Sequence, residues 1–324
     1  MRSEKDNDKL SKAALTVIVP AYNVEAYITD CIQSVVLQNG AANHVKVIVV
    51  IDRATDKTLD VAQLASIGHE DYVRIVVQEN VGLSGARNTG IALVETEYVT
   101  FLDGDDVWAS SFLDIILPII TTNYYDLIEY DAQMIDEAGN LISPLKIAFA
   151  DNDTSCEVTA RDFLKYFRCY SWARIFRTRL VRHRPFPLGK RFEDAATTPW
   201  YYWHSQRMLS LGHALVGYRQ RPNSILKTPS PTDVENLASA TTSAAAMFAE
   251  TQSIYWQLVA HRIFQQACRR ITWQILTTWP ASLRCAREAI HDVPPPPGLV
   301  RWMQFHVTPL YVALLWLKRK LLRN

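Results

Sequence analysis

The sequence predicts an α/β protein built on a mostly parallel, doubly wound sheet and followed by a helical extension. Three observations predict it. Apolar strand-like runs and helix-like stretches alternate strictly from Leu15 to Leu102, which is the pattern of βαβ units. The runs are continuously apolar, as expected of parallel strands covered on both faces. Beyond Leu226 that rhythm stops, and residues 233–290, rich in Ala, Gln and aromatic side chains, read as two or more helices.

Leu15–Asn23 is the first strand, closed by Pro20 and Asn23. Ile28, Cys31, Ile32, Val35 and Val36 recur at helical spacing and form the first crossover helix. Val45–Ile51 is the second strand, ending at Asp52. Thr55 or Asp56 is positioned to cap the next helix, whose inner face is expected to hold Leu59, Ala62, Leu64 and Ala65. Val73–Val77 is the third strand. A glycine-containing turn, Val81–Gly85, leads into a helix through Arg87, Asn88 and Ile91. The fourth strand is Tyr98–Leu102. Phe112–Ile120 reads as a helix and Asp126–Met134 as a strand, with a hairpin turn at Glu137–Asn140. Leu209–Tyr218 reads as the last strand.

With 324 residues, 48% of them hydrophobic, the chain is long enough for a large core. A net charge of +1 argues against a general nucleic-acid binder. Five cysteines without a C-x-x-C pair read as reduced thiols of a cytoplasmic protein, with no zinc site. The first twelve residues are charged and polar, so no secretory signal is expected, and no run reaches the ~18–20 apolar residues of a membrane span. Between Arg161 and Arg191 lie ten basic residues and one acid. That run reads either as a solvated face or as a positive rim toward a phosphorylated substrate. Residues 301–324 carry five basic residues and no acid around an apolar stretch, Pro309–Leu317. A basic amphipathic helix at an anionic membrane surface fits this segment, and packing on the protein itself is the alternative.

The fourth strand runs directly into Asp103-Gly104-Asp105-Asp106. Carboxylates leaving a sheet at its carboxyl edge stand where open α/β proteins bind ligands. Three close anions repel unless a cation sits among them, and a hard divalent ion prefers oxygen ligands. A magnesium or manganese ion carrying a phosphate-containing substrate is therefore expected, with a solvated acidic turn as the plain alternative.

Five pieces in fixed order carry a resemblance. They are Val17–Asn23, Glu79–Gly90, Phe101–Asp106, Phe192-Glu193-Asp194 and Tyr218-Arg219. Over roughly residues 13–226 the chain resembles the bacterial family 2 glycosyltransferases, which have the Rossmann-like GT-A fold. The resemblance implies an inverting, metal-dependent transfer of a sugar from a nucleotide-diphosphate donor to a hydroxyl of a saccharide or lipid-linked saccharide. It implies a role in bacterial surface polysaccharide synthesis at the inner face of the plasma membrane. Residues 1–226 would form the nucleotide-sugar-binding and catalytic domain and 227–324 the extension. Pro20, Ala21 and Tyr22 would border the base, with Asp52 hydrogen-bonded to it. Arg87 would help hold the nucleotide, Asp103 would sit by the ribose, and Asp105 with Asp106 by the metal. Asp194 resembles the family's catalytic base.

The chain departs from the family at Ile51-Asp52-Arg53, where an acidic pair and a small-residue turn are usual. Arg53 reads as an exposed loop arginine, with reach to a phosphate as its alternative. Arg219 and Arg221 read either as diphosphate contacts or as a surface pair. The aromatic run Trp200–Trp203 reads as packing before sugar stacking. Two other classes compete with the enzyme. A nucleotidyltransferase would place a glycine-rich, lysine-containing loop where Pro20–Val24 stands, and a non-catalytic sugar-nucleotide-binding scaffold would keep the fold without the transfer.

Overall fold

The computed structural model describes residues 13–221 and 231–270 and six positions between Arg287 and Pro294. The basic segment 301–324 lies outside the described residues. Two compact units are present: residues up to Gly189 with Trp200–Arg221, and Lys190–Pro199 with the described residues beyond Arg221.

The first unit contains the sheet. Strand β1 (Leu15–Ala21) lies parallel between β2 (Val45–Asp52) and β4 (Tyr98–Phe101), and β3 (Val73–Gln78) lies parallel on the outer side of β2. Every residue of β1 is buried, and so is β2 apart from Lys46, as continuous Val/Ile runs require when helices cover both faces. The crossovers are α1 (Ile28–Val36), α2 (Thr58–Ala65) and α3 (Gly82–Ala92). A single helical turn at Ala41–His44 precedes β2.

The second half of the sheet is mixed. After β5 (Val107–Trp108) and α4 (Phe112–Ile120) come β6 (Leu127–Ile135), its hairpin partner β7 (Leu141–Leu145), β8 (Ser155–Val158) and β9 (Arg174–Arg177). Strand β9 inserts antiparallel between β4 and β6, and β10 (Met208–Arg219) runs parallel to β6, giving the order β3-β2-β1-β4-β9-β6-β10-β5. The hairpin expected at Glu137–Asn140 joins β6 to β7. Asp136 closes it by accepting the Asn140 N–H at 2.8 Å.

Two expectations are corrected. Helix α2 starts at Thr58 and its buried stripe is Thr58, Ala62 and the following Ser66, so Ala62 lies inside as expected while Leu64 is 68% exposed. Asp56 supports that start, accepting the Thr58 N–H at 3.0 Å. The basic run is a solvated face only in part: seven of its ten basic residues are exposed, while Arg174, Arg177 and Arg191 are drawn inward. Arg174 is fully buried in β9, Arg177 pairs with Glu97, Arg179 with Asp126, and Arg182 donates to the Val94 carbonyl.

Between Arg177 and the second unit lie α5 (Thr178–His183) and the start of α6 (Glu193–His204), which begins in the second unit and ends in the first. The second unit also contains α7 (Pro231–Thr251) and α8 (Ile254–Arg270). Its centre is Asp233, fully buried and paired with Arg191 at 2.8 Å and Arg270 at 3.5 Å. Arg270 also covers the Phe192 ring, and Tyr255 Oη donates to the Pro199 carbonyl at 2.7 Å. Among the described residues no helix is long and apolar enough to cross a membrane.

Helix α3 packs so closely on β1 that a Cβ on Gly90 would stand 2.4 Å from Ile18 Cγ2. Gly90→Ala is expected to destabilise by about 1–3 kcal/mol despite the better helix propensity of alanine, measured by urea unfolding; an unchanged or raised midpoint would contradict this packing.

Candidate active site

The acidic loop forms because β4 ends against β1. Gly104 N–H donates to the Pro20 carbonyl at 3.2 Å, and a Cβ there would meet Pro20, Ala21 and Val24 within 3.2–3.3 Å. The space accepts only glycine without a shift. Asp106 N–H then donates to the Asp103 carbonyl at 2.8 Å, so the three carboxylates radiate from one tight turn.

Each carboxylate meets different surroundings. Asp103 Oδ1 accepts from Arg87 Nη2 at 3.0 Å; Arg87 is buried on α3 and stands over the Phe101 and Phe186 rings. Asp105, whose side chain is 15% exposed, pairs with Arg221 at 2.6 Å. Burial pushes its carboxyl up, the Asp103 charge adds to this, and the Arg221 guanidinium opposes it. Asp106 is fully buried, with Oδ1 on the Arg219 N–H at 2.7 Å and, among the described residues, no hydrogen-bond donor on Oδ2. Burial pushes its carboxyl well up, and the charges of Asp105 and Asp103 push further.

Arg219 fixes the loop from the end of β10. Its Nε donates to the Asp105 carbonyl at 2.8 Å, Nη1 to the Glu137 carbonyl at 2.5 Å and Nη2 to Asp30 at 3.2 Å. It is 4% exposed, so the reading as half of a surface pair is corrected for this arginine. Arg219 and Arg221 both lie over the Tyr27 ring, whose hydroxyl donates to Glu137 at 2.9 Å.

The residues expected around a base stand at the ends of β1 and β2. Pro20 and Ala21 are buried, and Tyr22 projects with 48% exposure. Asp52 is buried and closes the entry to α3. Its Oδ1 accepts from Gln78 Nε2 at 2.7 Å and the Val81 N–H at 2.8 Å, and Oδ2 accepts the Gly82 N–H at 2.8 Å. Two backbone N–H groups at a helix start make this a helix-capping carboxylate. Arg53 is exposed and pairs with Glu79 at 2.5 Å. Asp194 is half-buried in the first turn of α6 and belongs to the second unit.

The loop's chemistry fits a divalent cation. Burial, with the neighbouring carboxylates, pushes Asp105 and Asp106 up, and among the described residues one buried oxygen, Asp106 Oδ2, lacks a donor. Among the described residues no three His, Cys, Asp or Glu side chains form a complete cage. Asp103 and Asp105 are partly exposed and Asp106 is fully buried.

Sequence reasoning missed Tyr170 and Trp172. Tyr218 and Trp172 stack with centroids 5.0 Å apart at 24°, and Trp172 and Tyr170 at 4.9 Å and 18°. Burial pushes the Tyr218 phenol up, and the Asp106 charge adds to it. Trp200, Tyr201 and Tyr202 are buried packing residues.

The model for the family described as Glycosyl transferase family 2 matches residues 16–184. Glycosyltransferase GlyA of Streptococcus pneumoniae serotype 4 is 28% identical over 222 residues, 65% of this chain and 31% of that protein. The uncharacterized glycosyltransferase EpsJ of Bacillus subtilis is 28% identical over 229 residues, 66% of this chain and 63% of its own length. The chain thus spans less than two thirds of either relative. The crystal structure of S. aureus TarS 1-349 in complex with UDP superposes with a TM-score of 0.70 at 18% identity, covering 94% of this chain and 88% of that one. This likeness is one of fold, and it bears out the expected GT-A-like α/β architecture.

Two substitutions separate the roles of the buried pair. Asp106→Asn keeps an acceptor for the Arg219 N–H and removes a buried charge, so its metal-free melting temperature is expected to match or exceed that of the wild type. Arg219→Met strands three acceptors and is expected to cost ~2–4 kcal/mol. Calorimetry of both variants checks this, and a destabilised Asp106→Asn beside an unaffected Arg219→Met would invert the assignment.

Proposed function

Since the chain belongs to glycosyl transferase family 2, we propose that it is an inverting glycosyltransferase moving a sugar from a nucleotide-diphosphate donor to a saccharide hydroxyl. The observation that carries the reading is the acidic loop at the carboxyl edge of the sheet, gripped by Arg87, Arg219 and Arg221. UDP bound to TarS, a protein of the same fold, makes uridine the first nucleotide to test.

The donor's base lies against Pro20, Ala21 and Tyr22, beside Asp52. Arg87 and Asp103 orient the ribose side. Asp105, supported by Asp106, would hold a magnesium or manganese ion. Such an ion, when bound, neutralises the negative charge that grows on the departing diphosphate. Arg221 leaves Asp105 for the diphosphate as the donor enters, which adds a second positive group where charge develops. Asp194 accepts the proton of the acceptor hydroxyl as its oxygen attacks the anomeric carbon from the face opposite the leaving group. One in-line displacement inverts that centre. Glu193 beside it positions the segment, accepting Thr197 Oγ1 on its carbonyl at 3.1 Å.

The acceptor is a growing surface polysaccharide, carried on lipid at the inner face of the plasma membrane. The basic, acid-free segment 301–324 supports that placement. Truncation after Asp292 is expected to abolish co-sedimentation with vesicles containing anionic lipid; retained binding would sink the membrane part alone.

The main test is a panel of nucleotide sugars assayed for manganese-dependent hydrolysis and transfer, comparing wild type with Asp105→Ala and Asp194→Asn. One donor should be turned over by the wild type and at least ~100-fold more slowly by both variants, with Asp194→Asn still binding it. Nucleotide binding without transfer to any acceptor would favour the scaffold reading.

A further inference from the structure

We propose that Tyr170, Trp172 and Tyr218 form a saccharide-stacking subsite beside the acidic loop, taking the apolar face of a pyranose ring. The proposal rests on the glycosyltransferase reading and extends it to Tyr170 and Trp172, which the family motifs do not include.

Topology brings the three rings to the site from two separate segments. Strand β9 runs antiparallel to β4, with Thr100 opposite Ile175 and Tyr98 opposite Arg177. Residues just before β9 therefore emerge where β4 ends, beside the acidic loop. The end of β10 is tied to the same loop, because Arg219 donates its N–H to Asp106 and Tyr218 immediately precedes it. Alternation along a strand sends the Arg219 side chain toward Asp30 and Glu137 and the Tyr218 ring to the other face, where Trp172 meets it.

Strand order gives the rings their place along a donor. Asp52 and Tyr22 lie at β2 and β1 on one side of β4, and the rings lie on the β9–β10 side. A donor with its base at β1–β2 and its diphosphate at the loop presents its sugar end toward Tyr170 and Tyr218. Both tyrosines are half-buried, and Trp172 backs them from a buried position.

The platform is rigid for a specific reason. Arg174, fully buried, donates from Nη1 to the Tyr170 carbonyl and from Nη2 to the Arg168 carbonyl, both at 2.5 Å. Its Nε donates to Tyr202 Oη at 3.0 Å, and Tyr202 in turn donates to the buried Glu129. Tyr130 Oη donates to the Trp172 carbonyl at 2.7 Å. A preformed aromatic surface loses little freedom when a ring settles on it, and C–H groups of a sugar face gain contact area there.

Saturation-transfer NMR on the full chain tests this, using methyl glycosides of glucose, galactose, mannose and N-acetylglucosamine with UDP and manganese present. Tyr218→Leu is expected to lower saturation of the glycoside ring C–H protons about threefold to tenfold, while Tyr218→Phe keeps it. UDP affinity should stay within about twofold in both. Tyr170→Leu is the second variant if Tyr218→Leu fails to fold. Undiminished saturation in the leucine variants, or none from any glycoside in the wild type, overturns the subsite. Failure of the wild type to bind UDP counts instead against the glycosyltransferase reading, and the glycoside signals decide the stack independently. Repeating the comparison with UDP-N-acetylglucosamine separates the two sources of the ring. Sugar protons that lose saturation in Tyr218→Leu assign the subsite to the donor, and unaffected ones assign it to the acceptor.

Discussion

Arg219 binds the acidic loop by both its backbone and its side chain, and the rest of the site depends on that double grip. The N–H fixes Asp106, and the guanidinium spans the Asp105 carbonyl, the hairpin carbonyl of Glu137 and the Asp30 carboxylate. Three carboxylates in one turn would otherwise splay apart or take up protons. With Arg87 on Asp103 and Arg221 on Asp105, the loop holds its carboxyl groups in a defined geometry. The part fixed by Arg219 and Arg87 is electrostatic preorganisation, whose benefit comes from dipoles and charges that need not move.

A second buried arginine repeats the device. Arg174 spends two of its three nitrogens on main-chain carbonyls of the segment before β9 and the third on Tyr202. In both cases a guanidinium with several fixed donors straightens a loop that has no secondary structure to do so. The sheet supplies position, and the arginines supply local order at its carboxyl edge.

The parallel half of the sheet was legible in the sequence because strands buried on both faces leave long Val/Ile runs, and the acidic loop was legible because its residues are contiguous. What depended on contacts distant along the chain was not. Leu64 looked inward because it is apolar, but two residues from Ala62 it lies about 200° around the helix from the buried stripe. The basic run looked like one surface feature, but strand and helix send Arg174, Arg177, Arg179 and Arg182 to different partners. Tyr170 and Trp172 carry no sign of their neighbour Tyr218, since only the antiparallel insertion of β9 brings them together. Asp52 could be located but not its partners, because its hydrogen bonds close on Gln78, Val81 and Gly82 from the next crossover.

The lock around Asp233 has a consequence for how this chain can be taken apart. The segment carrying Asp194 is flanked by Arg191 and Phe192, and these are held by Asp233 and Arg270 from α7 and α8. A fragment cut where the sheet ends would keep the acidic loop whole, yet Arg191 would lose its carboxylate and Phe192 its cover. The acidic loop and the Asp194 segment thus depend on different stretches of chain for their support. A graft that exchanges only the sheet domain with a relative would move the first without the second.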